Sequence, residues 1–166
     1  MDIQTADRVM DVGCGSGDAI KRIAAIATDG FVAGVDHSSA MVRMATMRNL
    51  RPIISGRVEI KLGSVEDLPW PEGSFDKACA IESLLFWTDP RKGLAETHRI
   101  LRPKGRVFVV VAWSKEMPDP DTHEKAQKLG MTLYSADEMQ RLLSDAGFRE
   151  TGIISKGNWL LVPGAK

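Results

Sequence analysis

Residues 8–17 read Arg8-Val9-Met10-Asp11-Val12-Gly13-Cys14-Gly15-Ser16-Gly17. Arg8 to Val12 is a mainly apolar run of strand length and predicts the first strand. It passes directly into three glycines, each two positions from the next. The residues that follow, from Asp18 to Ala27, repeat apolar side chains at helical spacing. A strand, a glycine loop and a helix in this order are typical of the first unit of a doubly wound α/β protein. Glycines in such a loop let the backbone N–H groups approach a ligand that a Cβ would keep away.

The alternation of strands and helices continues to the C-terminus. Further strands are predicted over Phe31–Asp36, Val58–Leu62, Phe75–Ile81, 106–113 and, near the C-terminus, 149–155 and 158–162. Helices are predicted from Ser38 or Ser39 to Asn49, from Asp89-Pro90 to Leu101, and from Ser135 to Ala146, with a tight turn over Pro103-Lys104-Gly105. The pattern predicts an α/β fold with a Rossmann-like, mostly parallel sheet of seven strands and helices on both faces, as a single domain over residues 1–166.

One polar segment interrupts this alternation. Residues Lys115 to Lys125 contain two prolines and several acidic groups, which predicts a mobile loop. Within it, Met117 to Asp121 would form either a lid over the site or a solvated connection. Both readings stay open at the level of sequence.

The bulk composition limits the function classes. The chain has 166 residues, of which 43% are hydrophobic, and its 22 basic and 22 acidic side chains balance. Balanced charge argues against nucleic acid or an anionic membrane as a necessary partner and favours a small molecule. Cys14 and Cys79 lie in apolar segments without metal-ligand or redox spacing, which predicts free thiols, no metal site and a cytoplasmic location. The sequence contains no apolar run of about 18 residues, so no membrane span is predicted. Met1-Asp2-Ile3-Gln4 does not resemble a secretion signal.

Three carboxylates surround the glycine loop. Asp11 lies at the mouth of the first strand, two residues before the first glycine, and a buried carboxylate is costly unless it meets a cation or hydrogen-bond donors. Asp36 ends the second strand, which is adjacent to the loop in a doubly wound sheet, and there it can accept both hydroxyls of a ribose. Asp18 stands where the dinucleotide fingerprint has its third glycine, and its charge would repel a pyrophosphate. The sequence therefore predicts an adenosine-bearing ligand with an amine and disfavours NAD.

The chain resembles the class I S-adenosylmethionine-dependent methyltransferases, particularly the small-molecule group that includes the ubiquinone and menaquinone biosynthesis enzymes. The resemblance covers about Arg8 to Val162. It is carried, in family order, by Val9-Met10-Asp11-Val12-Gly13-Cys14-Gly15-Ser16-Gly17, Gly34-Val35-Asp36, Gly63-Ser64-Val65-Glu66-Asp67-Leu68-Pro69-Trp70, Ser74-Phe75-Asp76 and Arg99-Ile100-Leu101-Arg102-Pro103-Lys104-Gly105-Arg106. It implies S-adenosylmethionine as cofactor and S-adenosylhomocysteine as product.

The resemblance also implies the positions that hold the cofactor. These are the loop and its acid (Asp11, Gly13, Cys14, Gly15, Gly17), the ribose and adenine flank (Asp36, His37, Met41), the base contacts (Ser64, Val65, Glu66) and the methionine border (Ile81, Glu82). Ser64 departs from the aspartate that the family often carries. Relatives also usually bring some tens of residues before the first strand, which cover the substrate. A start near Arg8 predicts a reduced cap and an open site, completed by another subunit of a homo-oligomer or by further residues.

The predicted activity is methyl transfer to a small-molecule acceptor, in the EC 2.1.1 class. No catalytic residue is assigned, since displacement at an activated methyl group needs mainly positioning; the candidate bases are Glu82, His37, His98 and His123. Leu84-Leu85-Phe86-Trp87 and Trp113 are candidates for an apolar acceptor wall. The alternatives are a cofactor-binding regulatory or assembly subunit without turnover, a nicotinamide oxidoreductase, and a protein or nucleic-acid methyltransferase.

Overall fold

The computed structural model describes residues 1–116 and 120–166. Its elements, in chain order, are β1 (Arg8–Val12), α1 (Asp18–Ile26), β2 (Phe31–Asp36), α2 (Ser39–Arg48), α3 (Leu50–Ile54), β3 (Val58–Leu62), β4 (Phe75–Ile81), a 3₁₀ turn (Leu84–Phe86), α4 (Pro90–Ile100), β5 (Leu101–Val111), α5 (Pro120–Lys128), α6 (Ala136–Asp145), β6 (Ile154–Lys156) and β7 (Trp159–Ala165).

All seven strands form one sheet, in the order β3-β2-β1-β4-β5-β7-β6. Strands β1 to β5 run parallel, and β7 lies antiparallel between β5 and β6. The chain moves outward in one direction from β1 to β3 and then crosses to β4 on the other side of β1. The carboxyl ends of β1 and β4 therefore border a topological switch point, where ligands bind in open α/β sheets. The predicted fold class and the number of strands are confirmed.

Each face of the sheet carries an apolar core. On one face, α1 and α2 bury Ile20, Ile23 and Ala45 against β1 and β2. On the other, α4 and α6 bury Leu94 and Leu143 against the centre of the sheet. No helix in the described part of the chain is long and apolar enough to cross a membrane.

The two faces of the sheet are covered unequally around β5 and β7. Helix α4 contacts β5 and α6 contacts β7, and both helices belong to the core on the face opposite α1. Phe108 and Val110 of β5 and Leu161 and Pro163 of β7 are consequently only partly buried. The alternation of burial along β5 agrees with this, since Val107, Val109 and Val111 on the covered face are fully buried.

The structure corrects several predicted boundaries. The polar segment predicted as a loop contains α5, which begins at Pro120 with Asp121 in its first turn and ends with Lys128 in its last, all favourable helix-end signals. Met117, Pro118 and Asp119 lie outside the described residues, so the predicted lid stays a prediction there. Helix α3 was not predicted, the turn at Pro103-Lys104-Gly105 lies inside β5, and the last two strands begin later than expected.

Gly17 sets how closely α1 and α2 pack. It caps α1 with φ +75°, and a Cβ built on it would lie 2.8 Å from Ala45 Cβ and 2.7 Å from Asn49 Nδ2. The Asn49 amide donates to the Gly17 carbonyl oxygen at 3.0 Å and to the Ala45 carbonyl oxygen at 2.9 Å. The glycine is therefore needed both for its backbone conformation and for this contact.

Gly17→Ala is expected to lower the free energy of unfolding by about 2–5 kcal/mol, because left-handed strain of about 1–2 kcal/mol adds to overpacking of about 1–3 kcal/mol. Gly56→Ala is the matched control, since Gly56 also has φ +75° but a Cβ there meets nothing within 4 Å. Urea denaturation of both variants separates the two contributions. Equal losses would contradict a tight contact between α1 and α2.

Candidate active site at the switch point

A cleft of about 490 Å³ opens at the carboxyl edge of the sheet. Of the predicted site residues, it is lined by Gly13, Cys14, Gly15, Asp36, His37, Met41, Ser64, Val65, Glu66, Ile81 and Glu82. The cleft is also lined by Ser38, Ser83 and Thr88, which the sequence analysis did not assign to the site. Of the proposed acceptor wall, Phe86 and Trp87 line the cleft, whereas Leu84 and Leu85 are buried in the core.

The two remaining predicted residues lie elsewhere. Asp11 lines a second cavity of about 480 Å³, which shares Gly13, Cys14 and Ile81 with the cleft and extends to Ser16, Asp18, Ala19, Arg22 and Trp159. Gly17 lines neither cavity and packs against α2 instead. The shared residues place the two cavities on either side of the glycine loop.

The amide groups of the glycine loop are largely used within the protein. Gly13 N and Cys14 N both donate to the Val35 carbonyl oxygen, at 3.0 and 2.8 Å. Gly15 N donates to Asp36 Oδ2 at 2.8 Å, and Gly17 N donates to the Cys14 carbonyl oxygen at 2.9 Å. The expectation that these N–H groups would face a ligand is therefore wrong for the four residues. The loop instead offers room, since a Cβ on Gly15 would meet nothing within 4 Å.

Asp36 anchors the loop and faces the cleft. Its Oδ2 accepts from Gly15 N and its Oδ1 accepts from Ser38 N, both at 2.8 Å. His37 Nδ1 lies 3.8 Å from Oδ1, on a side chain that is 82% exposed at the rim. Each carboxylate oxygen retains acceptor capacity beyond its one backbone donor. The two backbone donors fix the position of the Asp36 carboxylate, and in that position it can still accept hydrogen bonds from hydroxyl groups of a ligand.

Asp11 is a buried carboxylate with no cationic partner among the residues that the structure describes. Only 2% of the residue is exposed, and its hydrogen-bond donor is the Cys79 thiol, whose Sγ lies 3.6 Å from Oδ1. Burial raises the pKa of Asp11 from 3.8 to about 7, the Cys79 thiol lowers it, and the charge of Asp36 raises it further. A ligand cation in the adjoining cavity would relieve this burial cost.

Both cysteines are poor nucleophiles in this setting. Burial is the largest cause that raises the pKa of the Cys14 thiol and of the Cys79 thiol, and the negative charge of Asp11 raises both further. Each stays protonated at neutral pH, and the thiolate is the reactive form. The thiols are therefore structural.

The site is strongly acidic. The residues that line the cleft include three carboxylates, Asp36, Glu66 and Glu82, and no lysine or arginine. Glu66 is partly satisfied, since its Oε1 accepts from Asp89 N at 3.0 Å and its Oε2 lies 4.0 Å from Lys92 Nζ. The second cavity adds Asp11 and Asp18, with Arg22 as its one basic lining residue. Such a site attracts a cation and repels a polyphosphate.

The segment after β4 closes the floor of the cleft. Ser83 Oγ donates to the Val12 carbonyl oxygen at 2.6 Å, and a Cβ on Gly13 would lie 2.6 Å from Ser83 Cβ. The Trp87 indole packs over Gly93, where a Cβ would lie 2.6 Å from Cε3. Its Nε1 is buried and finds no hydrogen-bond partner in the described residues. An unpaired buried donor in a cleft wall is a group that a ligand can satisfy.

The candidate bases occupy different environments. His98 lies on α4 with its ring edge-on to Phe148 at 5.0 Å, and burial lowers its pKa, so it is a packing residue outside both cavities. His123 lies exposed on α5. His37 and Glu82 line the cleft. Within the described residues, no group of three or more His, Cys, Asp and Glu side chains is arranged to hold a metal ion.

Comparison with known proteins agrees with this geometry. Residues 10–109 match the family described as a methyltransferase domain, and the chain belongs to that family. The O-methyltransferase cnsE of Penicillium expansum is 36% identical over 146 residues, which cover 86% of this chain and 52% of that protein. The 27-O-demethylrifamycin SV methyltransferase of Amycolatopsis mediterranei is 31% identical over 150 residues, covering 87% and 55%.

The predicted resemblance to the quinone biosynthesis group also has a counterpart. The ubiquinone/menaquinone biosynthesis C-methyltransferase UbiE of Geotalea daltonii is 31% identical over 104 residues, covering 62% of this chain and 44% of that protein. The chain spans about half the length of the relatives it matches. A chain in the complex between the Haloferax volcanii Trm112 methyltransferase activator and the putative methyltransferase shares the fold, with a TM-score of 0.84 at 24% identity, covering 99% of this chain and 84% of that one.

Asp11→Asn is expected to stabilise the protein at pH 8. A native pKa of about 7 against 3.8 means that the ionised form is disfavoured in the folded state by about 4 kcal/mol. The wild-type free energy of unfolding should therefore fall as pH rises from about 4 to about 7, and the variant should lack this loss. Its advantage approaches 4 kcal/mol above pH 7 and vanishes near pH 4. Urea denaturation across this range measures it, and equal stability at pH 8 would contradict the buried charge.

Proposed function

We propose that this chain transfers the methyl group of S-adenosylmethionine to an oxygen of a small-molecule acceptor. The observation that carries the proposal is the buried, cation-free carboxylate of Asp11 beside an acidic cleft at the switch point. The cofactor has an ammonium and a sulfonium but no phosphate, which fits a site with acidic walls. Two relatives named for O-methylation support oxygen as the acceptor atom.

The cofactor would bind across the glycine loop. Asp11 would meet the ammonium, Asp36 the ribose hydroxyls, and the turn at Ser64 to Glu66 the base, with His37 and Met41 on its flank. Ile81 and Glu82 would border the methionine part, next to Gly13, Cys14 and Gly15, which leave it room. Gly17 would act through the shape of the loop. This assignment agrees with the residues that line the two cavities.

The bound cofactor supplies a methyl group already activated for displacement. The chain's own residues then have to orient the acceptor in line and exclude water from the cleft. Phe86 and Trp87 provide an apolar wall for the acceptor, and Phe86 is 50% exposed at the rim. No side chain is assigned as an obligatory base.

The NAD-dependent alternative is disfavoured by the same geometry. A pyrophosphate needs free N–H groups in the loop, whereas Gly13, Cys14, Gly15 and Gly17 donate to protein acceptors. Asp18 is the first residue of α1, and its Oδ2 lies 3.1 Å from Arg22 Nε. The N-terminus of α1 therefore already carries a carboxylate, which would repel a pyrophosphate.

We also propose that residues 1–166 act as one methyltransferase domain in the cytoplasm. Two buried thiols support a reducing compartment. A second copy of the chain would cover the exposed part of the sheet around Phe108 and Leu161 and complete the open side. A cofactor-binding subunit without turnover is one alternative, favoured by the partly exposed apolar side chains of this face.

Light scattering tests the second copy. The expected mass is twice the 18.2 kDa of the chain, and Phe108→Glu should return it to one chain, because a charge cannot be buried in an apolar interface. A monomer at every concentration would overturn the dimer and leave the cofactor site unaffected.

The cofactor proposal predicts pH-dependent binding of S-adenosylhomocysteine. Since the free carboxyl of Asp11 has a pKa of about 7 and only its ionised form attracts the ammonium, affinity should fall up to about tenfold per pH unit below 7. Calorimetric titration at pH 5.5, 6.5 and 7.5 measures this. Asp11→Asn should bind at least tenfold more weakly at pH 7.5 and show little change with pH.

NAD serves as the comparison ligand in the same titrations and should not bind. If NAD bound with the same affinity as S-adenosylhomocysteine, the cofactor proposal would be wrong. Saturable binding without pH dependence would remove Asp11 from the ammonium site and leave the rest of the proposal in place.

A further inference from the structure

Glu82 occupies an unusual backbone position at the end of β4. Its φ of +54° lies in the left-handed region, which is costly for a residue with a Cβ. Its N–H continues the sheet by donating to the Val110 carbonyl oxygen at 2.8 Å. The next residue, Ser83, then bonds to the Val12 carbonyl oxygen. The turn thus ties the ends of β4, β5 and β1 together at the point where the two cavities join.

The carboxylate of Glu82 is held on one side only. Its Oε1 accepts from Ala112 N, just after β5. Its Oε2 makes no hydrogen bond to a described residue, and no lysine or arginine in the described chain lies within ion-pair distance of it. The side chain is half-buried, and desolvation raises its pKa although the Ala112 N–H lowers it. One oxygen is therefore fixed by the backbone, and the other has no partner in the lining of the cleft.

The other carboxylates of the cleft have protein partners for both oxygens. Asp36 accepts from Gly15 N and Ser38 N, and Glu66 contacts Asp89 N and Lys92. Glu82 also lies on the wall next to Ile81, which lines both cavities, and so between the nucleoside side and the Asp11 side. Trp87 in the same wall also has an N–H without a hydrogen-bond partner in the described residues.

We propose that Glu82 selects the charged cofactor over the neutral thioether product by placing its free carboxylate oxygen against the sulfonium. This inference rests on the proposed function. The cofactor carries an ammonium and a sulfonium beside one carboxylate. Among the described residues, Asp11 and Glu82 are the site carboxylates that each keep one oxygen without a hydrogen-bond donor or an ion-pair partner, Asp11 for the ammonium and Glu82 for the sulfonium. The ammonium is common to cofactor and product, so Asp11 cannot distinguish them. Loss of the sulfonium charge on methyl transfer removes the attraction to Glu82 and favours product release.

The test compares the dissociation constants of S-adenosylmethionine and S-adenosylhomocysteine by calorimetry. Glu82→Gln keeps an oxygen for Ala112 N and removes the charge. It should weaken binding of S-adenosylmethionine about five- to twentyfold and leave binding of S-adenosylhomocysteine within about twofold, the range for one charge interaction in a partly solvated site. The variant's binding of S-adenosylhomocysteine also reports that the fold is intact.

Glu66→Gln is the matched control, because it removes a charge from the same cleft where both oxygens already have partners. Its ratio of the two dissociation constants should stay within about twofold of wild type. Glu82→Asp retains the charge and should keep the ratio within about threefold; a loss of selectivity as large as that of Glu82→Gln would show that side-chain length, and not charge, sets the ratio.

Each outcome is decisive. If Glu82→Gln weakens both ligands equally, Glu82 positions the cleft and does not select charge. If Glu66→Gln changes the ratio as much as Glu82→Gln, the selection comes from the overall field of the cleft, and the assignment to Glu82 is wrong. If wild type binds neither ligand, the proposed function itself fails, which is distinct from either result.

Discussion

The bond network between the glycine loop and the end of β2 determines the geometry of the whole site. Gly13 N and Cys14 N donate to the Val35 carbonyl oxygen, and Gly15 N donates to Asp36. These bonds hold the loop against the strand that carries Asp36, which in turn places α1 over β1 and β2. Ser83 attaches the end of β4 to Val12 on the other side. The cleft exists because these strand ends are held apart across a reversal of strand order.

The same network explains why the site suits a cation. A loop whose N–H groups are free binds anions, but here three of them donate to Val35 and Asp36 of the neighbouring strand, and that of Gly17 donates to Cys14 within the loop. Of the Asp, Glu, Lys and Arg side chains that line the two cavities, all but Arg22 are carboxylates, and the most deeply buried of them, Asp11, accepts from the Cys79 thiol. The protein accepts a stability cost at Asp11 and backbone strain at Glu82. Both costs fall at the switch point, where strain and unpaired charge are typical of ligand sites.

Much of this arrangement could be read from the residues. The apolar run that ends in three glycines predicted a strand followed by a loop. Strands β1, β2, β3 and β4 have the predicted bounds. Asp36 was placed at the ligand edge because the carboxyl ends of parallel strands meet there, whereas Ser64 to Glu66 and Glu82 were assigned to the site by the family resemblance. The polar segment was misread, since the helix-end signals at Pro120 and Lys128 were outweighed by its composition. Ser83 was missed because a serine after a strand carries no signal until its partner, Val12, is known.

The sequence by itself determined the order of the seven strands, the glycine loop and the acids that follow the strands, because each depends on local periodicity and chain direction; it did not predict the helices α3 and α5. Only the tertiary structure decided which donors those acids meet. Asp11 and Asp36 look alike in sequence, yet one is buried beside a thiol and the other is bonded by two backbone N–H groups. Apart from the local bond from Ser38 N to Asp36, the hydrogen bonds of these acids and of Glu82 and Ser83 join residues 21 to 71 positions apart, which local pattern does not encode.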